Sequence, residues 1–141
     1  YRSVGHNSTL IMGLTPNAEG LLPQADVQRL KEWGDEIRRR FGTPLAKTSG
    51  IGKKLKIKLK ERSKINHIVL QEDFSKGERV REFTLEGKTK NGWQSIVEGL
   101  VIGHKFIHVF EDMEVSQVRL KINESKGEPI IKSLEVFNTK E

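Results

Sequence analysis

Two of the four histidines have a spacing that could bind a metal. His104 and His108 are four residues apart, and on a helix this spacing places both imidazoles on one face. The residues around them have the composition of a β-strand, on which positions four apart lie about 13 Å from each other. We therefore predict no metal site at this pair, and no metal or cofactor for the chain as a whole.

Carboxylates cluster at two places where strands are predicted to end, at Glu72-Asp73 and at residues 111–114. Loop carboxylates of this kind can hold a structural Ca²⁺ through their oxygens. The alternative is that they are surface acids at turns, and we prefer this second interpretation for both clusters.

Two aromatic residues are candidates for binding carbohydrate. Sugar sites combine an aromatic ring that stacks on the sugar with a few polar groups that orient it. Trp93 follows the turn formed by residues 90–92, and Phe74 lies near another predicted loop. A tryptophan that opens a strand more often packs in the core, and we favour that for Trp93. Because the two rings form no cluster in the sequence, autonomous sugar binding is weakly supported.

A row of lysines occupies alternate positions from Lys54 to Lys60, with Leu55, Ile57 and Leu59 between them. On a strand this pattern places four cations on one face and three apolar side chains on the other. A nucleic-acid site would require aromatic or arginine side chains interleaved with these cations, and the segment has none. Lysines on an edge strand also prevent aggregation. We prefer that interpretation and predict no nucleic-acid partner.

The composition indicates a globular domain with a hydrophobic core. The chain has 141 residues, 35% of them hydrophobic and 31% charged, and it contains no cysteine. Disulfides and thiolate metal sites are therefore excluded. No apolar run approaches the roughly 18 residues that a membrane span needs, so we predict no membrane partner. The net charge of +6 is mixed along most of the sequence, and we interpret it as a solvated surface with an excess of lysine.

Residues 1–45 are predicted to form a strand, a loop and a helix. The continuous apolar run Thr9–Leu14 is typical of a parallel strand that is buried on both faces. A helix is predicted over residues 24–41, with its N-terminus marked by Pro23 and its end by Gly42. Such a strand needs neighbours on both sides, so we expect them upstream of Tyr1. The helix has one apolar stripe, which consists of Val27, Leu30, Trp33, Ile37 and Phe41.

The remainder of the chain is predicted to be a β-sandwich. Residues 43–53 are rich in Gly, Ser, Thr and Pro and are predicted to be a linker. Short strand-like segments then follow about 10 residues apart with no helix between them, which indicates an antiparallel sandwich or barrel. The predicted strands are residues 54–60, 65–71, 79–86, 93–97, 104–110, 115–122 and 130–137.

Both regions resemble family 29 α-L-fucosidases. Residues 1–20, with Ser3-Val4-Gly5-His6-Asn7 and the apolar run after it, are similar to the last barrel strand and loop of that family, and residues 30–34 are similar to its final barrel helix. Residues 65–73 and the segments after them resemble the β-sandwich that follows the barrel in bacterial members. Those later segments are residues 77–83, Gly92-Trp93, Gly99, residues 102–105 and residues 118–122.

The resemblance implies a mainly β fold. It consists of an antiparallel galactose-binding-like (discoidin-like) jelly-roll sandwich over residues 46–141, preceded by the last β/α unit of a (β/α)₈ barrel over residues 1–45. It also implies a parent protein that releases fucose from fucosylated glycans with retention of configuration. Such chemistry uses two carboxyl groups about 5–5.5 Å apart. In the family the nucleophile lies on an earlier barrel strand, so the resemblance implies no catalytic residue in this chain.

The resemblance further implies that the sandwich supports the upstream catalytic barrel of the same protein. The loop after Leu14 would then lie at the carboxyl end of the barrel strands, where active sites form. Asn17 and Glu19 are candidates for the rim of a substrate pocket, although an ordinary turn before the helix is the simpler interpretation. The alternatives are a stand-alone carbohydrate-binding module and a nucleic-acid-binding sandwich. A periplasmic or extracellular location is slightly favoured by the family, and the sequence itself leaves the compartment unknown.

Overall fold

The computed structural model describes residues 1–139, which form one α-helix followed by six β-strands. The helix α1 spans Gln24–Phe41, as the apolar stripe predicts. The strands are β1 (Ala46–Ile51), β2 (Lys54–Glu72), β3 (Val80–Thr89), β4 (Gly92–Gly99), β5 (Phe106–Ser125) and β6 (Ile130–Phe137).

All neighbouring strands are antiparallel, in the order β1-β6-β2-β5-β3-β4. The two long strands β2 and β5 pair with each other along most of their length. Residues 54–58 of β2 pair only with β5, whereas residues 67–70 pair with both β5 and β6. The antiparallel, mainly β architecture predicted from the sequence is confirmed.

The sheet folds over on itself along the β2–β5 pair. The pairing register shifts between Lys58 and Ser63, because residues 59–62 of β2 lie opposite the single residue Ser116 of β5. Irregularities of this kind bend a strand and increase its twist. The two halves of the sheet then enclose one core, as in a sandwich. The fully enclosed side chains come from both halves, with Phe83, Leu85 and Leu120 from one and Ile68, Leu70 and Leu134 from the other.

Two expectations about the strands are corrected. Residues 46–51 lie in the predicted linker but form the edge strand β1, which pairs with β6. Ser49 and Gly50 are typical of a linker, but the backbone of this segment forms hydrogen bonds with β6. Packing of Ala46 on the core stabilises the strand further. In addition, four of the predicted short strands are the halves of β2 and β5. The bulge between the two halves interrupts the alternation of apolar and polar residues, so one long strand has the sequence pattern of two short ones.

The predicted strand at residues 9–14 is absent from the part of the chain that the structure describes. Residues 8–17 pair with no strand, and the apolar side chains from Leu10 to Leu14 are exposed, Ile11 at 86%. A parallel strand exists only through hydrogen bonds to its neighbours, and residues 1–139 provide none. Residues 9–14 therefore form no strand within residues 1–139, and a strand that pairs with upstream neighbours stays a prediction.

Helix α1 also exposes most of the stripe that should be buried. None of its side chains is fully buried, and Trp33 remains 45% exposed. Its C-terminal end packs on the sandwich through Phe41, whose ring meets Phe137 edge-on at 5.6 Å. The polar face is ordered by ion pairs within the helix, and hydrogen bonds from Arg39 and Arg40 lower the pKa of Glu36 to about 2.

The first eight residues attach to the sandwich. The Ile107 N–H donates to the Gly5 carbonyl at 3.0 Å, and the Lys105 N–H donates to Asn7 Oδ1 at 2.9 Å. Asn7 has a positive φ of 64°, which lets its side chain reach back to residues 103–105. No helix among residues 1–139 has the length and apolar content required to cross a membrane.

Candidate functional site

The loop that carries Asn17 and Glu19 is held together by Asn17 itself. Asn17 Oδ1 accepts hydrogen bonds from the N–H groups of Glu19 and Leu21, each at 3.0 Å. Asparagine commonly organises turns through such side-chain bonds. The Glu19 carboxylate is exposed and makes no ion pair within residues 1–139. Asn17 therefore has a structural role in the turn, and the assignment of both residues to a pocket rim remains a prediction.

Phe74 forms a stacked pair with His104. Their ring centroids are 6.3 Å apart with 29° between the planes, and both side chains are exposed at one end of the sandwich. Phe74 lies in the loop between β2 and β3, and His104 lies just before β5. The two residues are 30 positions apart in sequence, so their proximity could not be read from spacing. This pair is an aromatic surface of the kind on which a sugar stacks.

Trp93 is half-buried on the outer surface of the sheet, under a cation. The Arg119 guanidinium carbon lies 4.1 Å from the Trp93 ring centroid, and Lys56 Nζ lies 6.0 Å from it. Glu86 fixes this arrangement through ion pairs with Arg119 and with Lys121, the latter at 3.1 Å. Hydrogen bonding from Arg119 holds the pKa of Glu86 below its usual value. The ring therefore lies outside the core, in contrast to the core packing favoured from the sequence. The guanidinium covers one of its faces.

A cationic surface surrounds this arrangement, and we name it the basic face. Cross-strand pairing sets Lys54 opposite Lys121 and Lys56 opposite Arg119. These four residues line a shallow depression of about 300 Å³, together with Leu120. The basic face consists of Lys54, Lys56, Lys58, Arg119 and Lys121, with Glu86 and Trp93 beside them.

A partly buried junction joins the helix to the sandwich. Tyr1 Oη lies 2.8 Å from His67 Nε2 and accepts a hydrogen bond from Arg40 at 3.1 Å. His67 is buried and also bonds to Asn66 and to Thr139. The rings of Tyr1, His67, Phe41 and Phe137 form a contiguous cluster around these bonds.

The acidic clusters lie in different environments. Glu72 is only 3% exposed, and its Oε1 accepts the N–H groups of Arg79 and Val80 at 2.6 and 3.0 Å. The interpretation of Glu72 as a surface acid is therefore wrong, because this carboxylate ties down the loop between β2 and β3. By contrast, residues 111–114 are exposed or half-exposed on β5, where Asp112 and Glu114 face lysines at 3.9 Å.

The histidines do not come together. His108 is half-buried on β5 and stacks between Phe106 and Phe110, and burial lowers the pKa of its imidazole. His104 lies outside the strand and stacks on Phe74 instead. Within residues 1–139, no three His, Cys, Asp or Glu side chains are grouped closely enough to hold a metal ion.

Sequence reasoning missed Arg119, Lys121 and Glu86 as members of one surface. The alternation of residues 118–122 in the sequence places Arg119 and Lys121 on one strand face, but it does not show that they are neighbours of Lys54 and Lys56. The sequence pattern that could have indicated this surface is the alternation of cationic and apolar residues, which segments 54–60 and 118–122 share. The pairing register that joins them is decided only in the folded sheet.

The similarity to known proteins extends over nearly the whole chain. The chain is 44% identical to "putative alpha-L-fucosidase" from Bacteroides thetaiotaomicron VPI-5482, with a TM-score of 0.94 over 98% of this chain and 32% of that one. It is 28% identical to a glycoside hydrolase 29 family member from an unknown rumen bacterium, with a TM-score of 0.83 over 100% of this chain and 27% of that one. "Putative alpha-L-fucosidase 1" of Oryza sativa subsp. japonica is 30% identical over 97% of this chain and 33% of its own length. No family model matches the sequence.

The fold and these comparisons point first to a class of protein, because the chain is similar to the helix and antiparallel β-sandwich region of larger glycoside hydrolases. Within that class, the homologues of this chain are family 29 α-L-fucosidases, and the resemblance seen in the sequence is confirmed. The chain spans about one third of the length of these relatives.

Proposed function

We propose that this chain is the C-terminal part of an exo-acting α-L-fucosidase and is non-catalytic by itself. In this proposal residues 1–45 are the last strand, loop and helix of a catalytic (β/α)₈ barrel. Residues 46–141 are a galactose-binding-like (discoidin-like) jelly-roll sandwich of the type found in bacterial members. The sandwich acts as a buttress for the barrel and contributes to the shape of its pocket rim.

The observation that carries the proposal is the exposed apolar surface at the N-terminal side of the chain. The run from Leu10 to Leu14 and the helix residues Val27, Trp33 and Ile37 are all at least 41% exposed. Contiguous apolar surface of this kind normally marks a contact with further protein. The segment has the pattern of a doubly covered strand and the helix that packs beside it. An upstream barrel would cover both.

The chemistry also supports a division of labour between this chain and the rest of the protein. Retaining hydrolysis uses one carboxylate as nucleophile and a second carboxyl group as acid and base. Oε1 of Glu72 accepts two backbone N–H groups, and the Glu86 carboxylate binds two cations, so both residues have structural partners. Oε2 of Glu72 is buried without a hydrogen-bond partner within residues 1–139. We therefore assign both catalytic groups to the upstream barrel, and fucosylated glycans to the barrel's pocket.

The stand-alone carbohydrate-binding module is the less favoured alternative. Arg119 covers one face of the Trp93 ring, which leaves Phe74, stacked on His104, as the better exposed candidate. One aromatic pair is a small platform for autonomous binding. Asn17 and Glu19 would instead meet sugar only as part of the completed barrel.

The test compares hydrolysis of an aryl α-L-fucoside by this chain and by the protein encoded by the complete reading frame. We expect release of the aryl alcohol from the longer protein and none above background from the 141-residue chain. Hydrolysis by the chain alone would contradict the assignment of the catalytic groups. A complete reading frame without an upstream barrel would overturn the proposal as a whole.

A further inference from the structure

The basic face presents a density of positive charge that its position in the sheet does not explain. Residues 54–58 lie at a sheet edge, since they pair only with β5, and lysines there protect against aggregation. Arg119 and Lys121 lie on β5, an inner strand that needs no such protection. They nevertheless stand directly opposite Lys56 and Lys54. Like charges opposite each other destabilise a sheet, so this arrangement lowers the stability of the fold.

Most of this charge is unneutralised. Glu86 is the carboxylate that pairs with the basic face, and it binds Arg119 and Lys121. Within residues 1–139, Lys54, Lys56 and Lys58 form no ion pair. Lys88 extends the cationic surface onto β3, opposite Trp93. A surface with this excess of positive charge attracts polyanions and speeds their association with the protein.

Arg119 is prepared to bind an oxyanion. Its Nε donates to Glu86, and its guanidinium plane rests on Trp93. Its two Nη groups make no hydrogen bond within residues 1–139. A guanidinium held in this way presents a fixed pair of donors that matches the oxygens of a sulfate or a carboxylate. The depression of about 300 Å³ between Arg119, Lys54 and Lys121 has room for such a group.

We propose that the basic face binds an anionic polysaccharide that carries sulfate or carboxylate groups. The cations follow the strands in two parallel rows, so they suit a repeating polyanion better than a single small ion. A single-stranded nucleic acid would need open aromatic rings on which its bases stack, and Arg119 covers one face of the half-buried Trp93 ring. The choice of a glycan over a nucleic acid also rests on the proposed function, which places the protein among carbohydrates.

The direct test measures binding of dextran sulfate, polygalacturonate and neutral dextran to the chain and to the longer protein, at low and at high salt. Dextran sulfate and polygalacturonate separate sulfate from carboxylate recognition. We expect binding of at least one of the two at low salt, a steep loss of affinity as salt rises, and no binding of neutral dextran. Absence of binding of both anionic polymers at low salt, or equal binding of neutral dextran, would overturn the proposal.

Substitution locates the site. The variant with Lys54→Gln, Lys56→Gln and Lys121→Gln should weaken polyanion binding about tenfold or more and reduce the salt slope by about one per removed cation. A matched variant with Lys31→Gln, Lys76→Gln and Lys126→Gln loses the same charge from exposed positions elsewhere. It should keep most of the affinity. Equal losses in both variants would show a general charge effect and contradict a site on the basic face.

Further experiments test the role of Arg119, the preference for a polysaccharide over DNA, and the proposed function separately. Arg119→Lys keeps the charge but removes the paired donors, so it should lower the affinity severalfold while circular dichroism and the unfolding midpoint stay close to wild type. Duplex and single-stranded DNA that displace dextran sulfate as effectively as dextran sulfate itself would overturn the preference for a polysaccharide. Hydrolysis of a small neutral fucoside by the longer protein reports on the proposed function independently of these measurements.

Discussion

Glu86 organises the surface around Trp93 by holding two cations at once. Its carboxylate binds Arg119 and Lys121, and the Arg119 guanidinium lies over the indole ring. Without Glu86, two like charges would stand on the same strand face with no counter-ion between them. Because Glu86 is largely buried, its charge is screened less than that of an exposed ion pair.

The first prediction concerns the pH dependence of this ion pair. Hydrogen bonding from Arg119 lowers the pKa of Glu86 in the folded state below its ordinary value of 4.5. The unfolded chain therefore binds the proton first as pH falls, so the stabilisation is complete above about pH 4.5 and is lost progressively below it. We expect Glu86→Gln to lower stability at neutral pH and to flatten the acid side of the stability curve.

The measurement is urea unfolding at a series of pH values from 7 down to the acid limit of solubility. Glu128→Gln is the matched control, since this exposed carboxylate makes no ion pair within residues 1–139. The control should follow the wild-type curve. A Glu86→Gln curve parallel to the wild-type curve at every pH would show that this carboxylate does not contribute to the acid sensitivity.

At the scale of elements, α1 depends on a contact at its last residue. Phe41 packs against Tyr1, His67 and Phe137, while three other members of the apolar stripe, Val27, Trp33 and Ile37, are exposed. Isolated helices of this length are marginal in water, since most helix stability comes from tertiary packing. The docked end should therefore be the more protected end of the helix in this chain.

The second prediction is that Phe41→Ala detaches the helix from the sandwich. Loss of the ring should cost on the order of 2 kcal/mol, about half the cost for a fully buried phenylalanine, because Phe41 is half-buried. Hydrogen exchange of the amides in the C-terminal half of α1 should accelerate accordingly, while the strand amides stay protected.

Trp33→Ala provides the comparison within the same helix. Its side chain is larger but exposed, so the exchange rates of the isolated chain should stay near those of the wild type. Equal acceleration by both substitutions would indicate that the helix is not anchored through Phe41.

At the scale of the whole molecule, the chain combines a well-packed sandwich with an uncovered apolar side. The core of the sandwich is closed by strands from both halves of the sheet. The segment from Leu10 to Leu14 and the outer stripe of α1 have no such cover within residues 1–139. The proposed barrel accounts for this asymmetry. In a barrel, the segment from Leu10 to Leu14 would be covered by neighbouring strands and helices, and the apolar stripe of α1 would pack on the strands.

The third prediction compares one substitution in two contexts. Trp33→Asp should change the stability of the 141-residue chain by less than about 0.5 kcal/mol, because the position is exposed. In the longer protein the same change would bury an unpaired charge and should cost more than about 3 kcal/mol. Thermal unfolding and fucosidase activity of the longer protein provide the two readouts.

Lys31→Asp on the polar side of α1 is the control for this comparison. It introduces an aspartate into the same helix at a position that should remain solvated in both proteins. We expect small effects in both. A similarly small effect of Trp33→Asp in the longer protein would show that the stripe is not covered there, and would count against the barrel assignment.

The sequence by itself determined the main features that depend on local periodicity. The period of 3.6 residues predicts α1 with its observed ends, and the period of two predicts the inward-facing residues of β2 and β5. It also predicts the bounds of β6 and the turn before Trp93. These features follow from the chain's own geometry and from which side chains avoid water.

Tertiary structure decided everything that depends on a partner. Strand β1 exists because β6 offers its edge, and residues 9–14 form no strand because residues 1–139 offer them none. Register brings Arg119 and Lys121 to the lysine row, and burial turns Glu72 from a surface acid into a loop anchor. The physical reason is the same in each case, because hydrogen-bond pairing and burial are properties of two segments together and no single segment encodes its neighbour.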